Sequence, residues 1–403
     1  MNIILLDTVA RAAFKPLSLT RSMSDFRMGC FTNLERWQRY LPEAKIYIKT
    51  ADYLQCKYPL PSFTGKKSVI VVNSHIIPNP AFIQQIKSLA EGYFLKDENH
   101  FWAAAHISGT LAEEMPFETA IQEKLKPGGV GKYAWTLTHL TDIFKENGEV
   151  LKGDFKLIQG NSMPLHSSNQ LIGPAENLFI EEGAEVMASI LNTTEGPIYI
   201  GKNAKVMEGC MLRGPFALLE NAQLKMGAKI YGATTVGPHC KVGGEVNNSI
   251  LFGFSNKGHD GFLGNSVIGE WCNLGADTNT SNLKNNYGNV KIWHYGQRAY
   301  LDSGAQFAGL FMGDHSKSGI NTMFNTGTVV GVAANIFGGG FPPKMIPSFS
   351  WGGFDPSQIN TYYKAIEVAY RMMERRGLKP EKAELAILQY LFNHRAEEWA
   401  VSV

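Results

Sequence analysis

Aliphatic residues recur at every sixth position through the middle of the chain. Eight successive positions carry one, and the position four residues after each is mostly small. The aliphatic positions are Ile200, Val206, Leu212, Leu218, Leu224, Ile230, Val236 and Val242. Neither an α-helix nor an alternating strand has a period of six, so the pattern indicates a repeat architecture. We predict a coil of short strands joined by tight turns, with the aliphatic residues stacked in an inner column.

The same register continues after an interruption. Ile268 and Leu274 keep the step, and five positions from Met312 to Ile336 resume it. The Asn-rich segment 279–288 breaks the pattern, and loops inserted into such coils lie outside and often line sites. Glycines and prolines in 337–347 are expected to end the coil. A right-handed β-helix or a β-sandwich is the alternative, although sandwich strands come at looser spacing, with turns every ~8–12 residues.

Different patterns flank the coil. Residues 1–155 alternate strand-like and helix-like segments, which predicts a layered α/β domain with a mostly parallel sheet. A linker at 156–175 and the coil at 176–350 follow, and a helical tail occupies 355–400. The finer predictions are strands at 2–6, 45–49 and 68–73, helices at 32–40 and 80–90, a hairpin over 92–105, a hairpin turn at Asn147-Gly148, a tail helix capped by Asp355 with Pro356 in its first turn, and a second helix over 381–399.

Composition narrows the functional classes. A length of 403 residues suits two or three domains, and a net charge of +2 gives no sign of nucleic-acid binding. No stretch is apolar for long enough to span a membrane, and the N-terminal run lacks the basic start of a signal peptide. The five cysteines form no metal-binding pattern. Cys210, Cys240 and Cys272 occupy the small slot of the repeat, which favours buried thiols, a reducing cytoplasm and no metal site.

Residues 15–21 read Lys-Pro-Leu-Ser-Leu-Thr-Arg and follow the first predicted strand. This segment resembles the "PLTxTRP" segment near the start of the sugar-1-phosphate nucleotidyltransferases. Residues 26–29 extend the resemblance to a branch of that family with an arginine-glycine pair. The resemblance implies a Rossmann-like nucleotidyltransferase domain in which Arg21 and Arg27 can neutralise phosphates. The alternative is that these arginines are solvated or paired with Asp25.

Two departures affect this domain. The family's phosphate loop is rich in glycine, whereas residues 7–14 contain none. Asn73, Ser74 and His75 stand where the family's metal-binding Gly-Asp pair is expected, and magnesium prefers carboxylate and phosphate oxygens. Magnesium is a candidate cofactor only if the domain is active. We therefore predict a weak or inactive uridyltransferase.

Residues 257–284 contain a Gly-His pair, a segment similar to "YxGDSxIGENxNxGAG" and an Asn-containing loop. This run closely resembles the acetyltransferase half of the bifunctional GlmU family, and residues 313–321 resemble its archaeal form. The resemblance implies a left-handed parallel β-helix that transfers an acetyl group from acetyl-CoA to an amino-sugar phosphate. It also implies a homotrimer with its sites between subunits. Met211, Met226 and Phe252 are apolar groups of the coil that could meet neighbouring subunits.

The resemblance gives roles to individual residues. His259 matches the general base that takes a proton from the attacking sugar amine, a step that imidazole, with a pKa near ~6.5, can perform. Asn273 and Asn282 match positions that hold the sugar and the acyl carrier, and Glu245 matches a substrate-side carboxylate. The further positions assigned to the acyl carrier are Ala276, Asp314, Ser316 and Lys317. The alternative for His259 is a turn histidine bonded to a backbone carbonyl.

Three positions depart from this pattern. Phe262 replaces a tyrosine, Asn247 replaces a lysine and Tyr231 replaces an arginine. Lys257 or Lys284 could supply the missing positive charge to the substrate. The identity of the sugar therefore stays open. Two other functions also stay open: a sugar-nucleotide-binding or regulatory protein without turnover, and a nucleotidyltransferase with a purely structural β-helix.

Overall fold

The computed structural model describes residues 1–63, 68–97, 102–109, 111, 121, 123–133, 135–353, 355 and 358–398. Within it the chain forms two compact units that interleave along the sequence. The first unit comprises Met1–Arg11, Arg21–Phe26 and Phe31–Thr138. The second comprises Ala12–Thr20, Arg27–Cys30 and His139–Val403.

The first unit is built on a six-stranded sheet. Its strands, in spatial order, are Lys45–Lys49, Asn2–Leu6, Val69–Asn73, Trp102–Ile107, Tyr93–Lys96 and Lys126–Val130. The first three are parallel, and Trp102–Ile107 is antiparallel to both of its neighbours. The predicted hairpin over 92–105 is therefore confirmed, although residues 98–101 of its connection lie outside the described residues. The sheet is mixed where a mostly parallel one was predicted.

Helices and short strands complete the first unit. The helices are Asn33–Tyr40, Asp52–Gln55 and Pro80–Ser88, with a 3-10 turn at Met23–Asp25 and another, Val9–Phe14, that continues into the second unit. Ile76–Ile77 pairs with Trp135–Thr136. Thr32 and Glu35 form a capping box, which satisfies backbone N–H groups where the first helix begins.

The second unit is a left-handed β-helix of three parallel sheets. Sheet 1 contains Gln170–Ile172, Ile190–Asn192, Met211–Arg213, Lys229–Tyr231, Glu245–Asn247 and Phe262–Gly264. Sheet 2 contains Leu178–Ile180, Ile198–Ile200, Phe216–Leu218, Thr234–Val236, Ile250–Gly253, Val267–Glu270, Leu310–Met312, Thr328–Val330 and Met345–Ile346. Sheet 3 contains Glu185–Val186, Lys205–Val206, Gln223–Leu224, Lys241–Val242, Asn256–Lys257, Asn273–Leu274, Lys317–Ser318, Asn335–Ile336 and Trp351–Gly352.

Shorter elements flank the coil. Its remaining helices are Asp142–Lys145, Asn147–Phe155, Tyr362–Glu374 and Lys382–His394, with 3-10 turns at Leu17–Leu19, Ala175–Asn177 and Arg395–Glu398. Arg27–Met28 lies in the second unit, Asn279–Thr280 pairs with Met323–Phe324, and an inserted hairpin joins Lys291–His294 to Ala299–Asp302. The predicted interruption of the repeat after Leu274 is therefore confirmed.

The sixth-position aliphatic residues form one buried column, as predicted. All eight from Ile200 to Val242 are at most 2% exposed and belong to a single apolar cluster. Cys210, Cys240 and Cys272 are buried in the same core and carry free thiols. Burial raises the pKa of the Cys240 thiol to about 12, so it is protonated and acts as a small apolar group.

The predicted hairpin turn at Asn147-Gly148 is wrong, because a helix begins there. Asn147 accepts a hydrogen bond from the backbone N–H of Gly29 at 2.7 Å and donates one to the carbonyl of Ala233 at 2.8 Å. A Cβ on Gly148 would lie 3.1 Å from that of Ala233, so the helix packs closely on the coil. These tertiary contacts outweigh the local turn preference of an Asn-Gly pair.

Two predicted boundaries near the C-terminus are also wrong. The coil does not end at 337–347, because Met345–Ile346 and Trp351–Gly352 add one more parallel strand to sheets 2 and 3. The first tail helix begins at Tyr362 with Thr361 as its N-cap, so Asp355 does not cap it. Pro356 lies outside the described residues, as does Trp399 at the predicted end of the second helix.

A ladder of aromatic rings runs up one corner of the coil. His239, Phe254, Trp271 and His315 stand in successive turns, each with φ between +53° and +61°. Neighbouring ring centroids are 4.6, 4.3 and 6.4 Å apart, and the planes are within 11° of parallel. The last ring meets the tail, since His315 Nε2 lies 3.2 Å from Glu384 Oε1. The ladder therefore helps to dock the tail helices on the coil.

Glu398, at the end of the tail, is expected to make the stability of the fold depend on pH. Glu398 is 7% exposed, accepts a hydrogen bond from Ser348 N at 2.9 Å, and has its pKa raised by burial from 4.5 to about 7. Between these two values the folded state holds a proton that the unfolded state has released, so stability falls as pH rises from 4.5 to 7. At roughly 1.4 kcal/mol per pKa unit, the loss is on the order of 3 kcal/mol.

Glu398→Gln is expected to remove this pH dependence and to match the wild type at low pH. Thermal unfolding of both proteins at pH 5 and pH 8, followed by circular dichroism, measures the difference. If the wild type is equally stable at the two pH values, the carboxyl group is not buried as described. Glu397→Gln, one residue away in the same turn, is the matched control.

Among the described residues, no helix is both long and apolar enough to cross a bilayer.

Candidate functional site

One turn of the coil is shorter than its neighbours. Two residues, Gly243 and Gly244, join sheet 3 to sheet 1 there, whereas four residues make the same connection at 225–228 and at 258–261. Gly243 admits no side chain, because a Cβ would lie 2.7 Å from the carbonyl oxygen of Gly258. The short turn leaves a notch on this corner, bounded by residues 225–228 and 258–261. The backbones of the two bounding turns lie two strand spacings apart, about 10 Å.

His259 lies on one side of the notch. It is exposed, and its backbone carbonyl is held by Lys257 Nζ at 2.8 Å. Glu245, on the neighbouring strand of sheet 1, is bonded to this turn, since its backbone N–H donates to the carbonyl of Gly261 at 3.2 Å. An exposed imidazole on a fixed backbone next to an open notch can take a proton from a bound amine.

Lys257 lies inside the coil. It is 1% exposed and pairs in register with Val242, so it occupies the inner column of sheet 3. Its ammonium donates to the carbonyls of His259 at 2.8 Å, Gly243 at 3.2 Å and Asp260 at 3.2 Å. This burial does not suit the predicted contact with a substrate. We reassign Lys257 as a positioning residue that fixes the turn carrying His259.

Lys257→Met is expected to lower kcat for the proposed acetyl transfer by about 10–100-fold, because the turn loses three charge-assisted hydrogen bonds. Burial lowers the pKa of Lys257 from 10.5 to about 8. Only the unfolded state is charged between those values, so wild-type stability rises as pH increases from 8 to 10.5, and the variant lacks this rise. Steady-state kinetics and thermal unfolding at pH 8 and pH 10 measure both effects. Lys205→Met is the control, and a wild-type kcat for Lys257→Met would contradict the role.

The other predicted sugar contacts lie on strands around this corner. Asn273 pairs with Asn256, on the strand that leads into the His259 turn. Asn282 donates to Asn265 Oδ1 at 2.8 Å, beyond the strand that leaves the turn. Glu245 accepts a hydrogen bond from Tyr231 Oη at 2.5 Å, which raises the tyrosine pKa to about 12. The structure therefore places His259 between strands that carry Glu245 and Asn273.

Of the positions assigned to the acyl carrier, Ala276 lies in the turn next to that of His259, and Lys317 lies two strands further along sheet 3. Ala276 belongs to the turn stacked on that of His259, since Asp277 N donates to Asp260 O at 3.2 Å. Lys317 pairs with Asn273 on sheet 3, its Nζ donates to His315 O at 2.7 Å, and burial lowers its pKa to about 8.

The other two positions are corrected by the structure. Ser316 is fully buried and donates to Gly331 O at 2.6 Å, so it lines the interior of the coil. Asp314 is 4% exposed and accepts hydrogen bonds from Thr20 Oγ1 at 2.7 Å and Glu270 N at 2.8 Å. Enclosed side chains with these partners cannot reach an acyl carrier, so we remove both from the donor set.

Lys284 lies in the insertion and is tied to its own loop. Its Nζ donates to the carbonyl of Asn289 at 3.1 Å. Its charge also helps to lower the pKa of Lys344, although burial is the larger cause. The predicted substrate contact of Lys284 remains a prediction.

A separate polar cluster occupies the carboxyl ends of the parallel strands in the first unit. The Asp7 side chain has no exposed surface. Its donors are Ser22 Oγ at 2.9 Å, Met23 N at 3.2 Å, Thr50 Oγ1 at 2.6 Å and Ser74 Oγ at 2.5 Å. This carboxylate therefore ties together the ends of three strands and the segment that follows the first of them.

These residues do not fit a magnesium ion. The carboxylate oxygens of Asp7 are already occupied, and Asn73 and His75 offer no second carboxylate. Burial lowers the pKa of His75 to about 4, so its ring is neutral. No group of three or more His, Cys, Asp or Glu in the described part of the chain could hold a metal.

The two arginines predicted to contact phosphate are both buried. Arg27 Nε donates to the carbonyl of Phe252 at 3.1 Å, within the second unit. Arg21 is 3% exposed and lies near the hydrogen-bonded pair of Tyr58 and Asp25 in the first unit. Their phosphate contacts remain predictions.

Both parts of the chain are similar to known proteins. Residues 3–162 match the family model described as sugar nucleotidyl transferase. A bifunctional sugar-1-phosphate nucleotidylyltransferase/acetyltransferase of Sulfurisphaera tokodaii is 36% identical over 95 residues, which are 24% of this chain and 23% of that protein. The bifunctional protein GlmU of Synechococcus elongatus is 26% identical over 209 residues, which are 51% of this chain and 36% of that protein.

Solved acyltransferases share the coil only distantly. The Francisella novicida UDP-N-acetylglucosamine acyltransferase is 13% identical, with a TM-score of 0.27, over 56% of this chain and 76% of that one. The polySia-specific acetyltransferase NeuO is 13% identical, with a TM-score of 0.23, over 46% and 77%. Likeness this low does not bear on function. The family match, the relatives and the coil together make the chain similar to the bifunctional GlmU proteins, with a sugar nucleotidyl transferase match followed by a left-handed β-helix.

Proposed function

We propose that the chain transfers an acetyl group from acetyl-CoA to the amine of an amino-sugar 1-phosphate, with His259 as the general base. The matched segments span about a quarter to a third of the relatives above, so this activity is carried over as a proposal. The amine attacks the thioester carbonyl, its proton passes to the imidazole, and coenzyme A leaves as the thiol. Ala276 and Lys317 are the proposed donor-side residues, with Glu245, Asn273 and Asn282 on the acceptor side.

The observation that carries this proposal is the His259 turn beside the notch. Among the described residues the imidazole of His259 has no hydrogen-bond partner, so it is available to a ligand. The backbone below it is held by Lys257, and an amine in the notch would lie next to the ring. This arrangement favours a base over a turn histidine bonded to a carbonyl.

Acetyl transfer is tested by measuring free thiol release from acetyl-CoA with a panel of amino-sugar phosphates. Release with an amino-sugar 1-phosphate, and not with its N-acetylated form, is expected. Thermal stabilisation by acetyl-CoA alone reports donor binding without turnover, because a ligand that binds only the folded state raises its midpoint. Absence of both thiol release and stabilisation would favour a non-catalytic binding protein.

We further propose a homotrimer in the cytoplasm, where the five free cysteines would stay reduced. Sheet 1 exposes Ile190 and Met211 on its outer face, at 37% and 56%, and Met226 follows at 71% in the next turn. Phe252, expected to join them, is 1% exposed and belongs to the buried side of sheet 2. Light scattering at micromolar concentration is expected to give three times the chain mass. A stable monomer would contradict the trimer.

A further inference from the structure

Four cations converge where the tail meets sheet 3, on the strand that leads into the His259 turn and on the two strands before it. Lys241 lies on the outer face of sheet 3, directly beside Asn256 in register. Arg376 from the end of the first tail helix donates to Asn256 Oδ1 at 3.3 Å, which brings its guanidinium next to Lys241. Arg375 precedes it in the chain. Lys225 Nζ lies 3.5 Å from Gln223 Oε1, and Gln223 is the other strand neighbour of Lys241.

These charges are not neutralised within the chain. Among the described residues, none of the four lies within 4 Å of a carboxylate. Burial lowers the pKa of Lys241 and of His239, and the charge of Arg376 adds to the effect at both. The charge of Glu220 raises the pKa of His239, but by less than burial and the charge of Arg376 lower it. Like charges held together without a counter-ion destabilise each other unless an anion joins them.

The position of the cluster gives it a role. Lys225 opens the turn that bounds the notch opposite His259, and its Cβ lies 3.2 Å from where a Cβ on Gly243 would be. A ligand bound between these two turns could place its amine at His259 and its phosphate at Lys225. Three residues of sheet 1, Tyr231, Asn247 and Phe262, stand where the family has an arginine, a lysine and a tyrosine. The positive charge that these sheet 1 positions lack is therefore supplied by side chains at the border of sheet 3.

We infer that Lys225, Lys241, Arg375 and Arg376 form a phosphate-binding site that holds the phosphorylated substrate beside the turn of His259. This inference rests on the proposed function for its link to turnover, but anion binding can be measured without turnover. The bound group is a phosphate ester dianion, which arginine and lysine bind by charge-assisted hydrogen bonds. The phosphate could belong to the sugar or to coenzyme A.

The test compares two double variants of equal charge. Lys241→Gln/Arg376→Gln removes two cluster cations, whereas Lys205→Gln/Arg371→Gln removes two cations that are paired with Glu185 and Glu367 on the same sheet and helix. Isothermal titration calorimetry with inorganic phosphate, glucosamine 1-phosphate and coenzyme A measures binding to each protein. We expect the cluster variant to bind at least one phosphorylated ligand about 10–100-fold more weakly than the control variant. Equal affinities in the two variants, or no binding of any of the three ligands by the wild type, would overturn the site.

Kinetics then identify the source of the phosphate. If the cluster binds the donor, the raised KM of the cluster variant for acetyl-CoA disappears with S-acetylpantetheine, which lacks the nucleotide phosphates. If it binds the acceptor, the raised KM for the sugar phosphate disappears with unphosphorylated glucosamine. A defect that persists with both dephosphorylated substrates would show that the variant damaged the fold, and would refute the inference. Binding defects in a chain without acetyl transfer would refute the proposed function alone.

Discussion

His259→Ala is expected to lower kcat for acetyl transfer by about 10²–10⁴-fold, or roughly 3–5 kcal/mol of barrier. An ammonium cannot attack a thioester, so the reaction needs a group that accepts the amine proton. The ring of His259 is exposed at the notch, and only its backbone carbonyl is bonded, to Lys257. Removing the ring therefore leaves the turn in place. The KM for acetyl-CoA and the thermal midpoint are expected to change little.

His259→Gln separates basicity from hydrogen bonding. Glutamine can accept a hydrogen bond but does not take a proton near neutral pH, so this variant is expected to be nearly as slow as the alanine variant. His166→Ala, at another exposed histidine, is the control and should keep the wild-type rate. Free thiol release measures all three. Wild-type rates in both His259 variants would show that the histidine is a turn residue.

The sequence predicts the core of the coil well because the period is enforced by packing. Each sixth side chain must fill the same inner position, so Ile200 to Val242 could be assigned from spacing alone. The notch was not predicted, although its signal is present. The inner residues Val242 and Val246 are four apart rather than six, so the turn between them has lost two residues. Reading Val246 only as the small-slot residue concealed that loss.

The sequence does not show that Lys257 is buried, so its positive charge suggested a substrate contact. Lys257 occupies an inner position, but a lysine in a turn-rich segment suggests a surface side chain, and the three carbonyls that bind it come from 243 and the following turn. Ser316 keeps the fourth-position spacing after Met312, so the repeat itself indicated that it is buried. The family resemblance instead indicated that Ser316 contacts the acyl carrier. Spacing within the chain was the better guide to burial at that position.

The cation cluster could not be predicted because it joins distant parts of the sequence. Lys225 and Lys241 are ordinary half-buried positions of the repeat, and Arg375 and Arg376 follow a tail helix more than a hundred residues later. Only the docked tail brings Arg376 to Asn256. The polar cluster around Asp7 is missed for the same reason, since its donors come from three separate segments of the first unit.

The first unit is expected to release no pyrophosphate from UTP, N-acetylglucosamine 1-phosphate and magnesium above background. The glycine-free segment after the first strand forms a 3-10 turn at Val9–Phe14, and the described residues contain no group of three or more His, Cys, Asp or Glu that could hold a metal. A coupled pyrophosphate assay with the full chain measures this. Robust turnover that Arg21→Gln abolishes would show that the first unit binds the nucleotide through Arg21.

Asp7→Asn distinguishes a structural carboxylate from a catalytic one. Asparagine keeps one acceptor oxygen but turns an N–H₂ group towards hydroxyl and N–H donors, so it leaves buried donors of Ser22, Thr50 or Ser74 unsatisfied. We expect a loss of about 2–5 kcal/mol in the stability of the first unit.

Acetyl transfer by the second unit should be unchanged at temperatures where the first unit is folded. Thermal unfolding and thiol release measure the two effects. If Asp7→Asn is as stable as the wild type, or abolishes a measurable uridyl transfer, the carboxylate has a role beyond joining the strand ends.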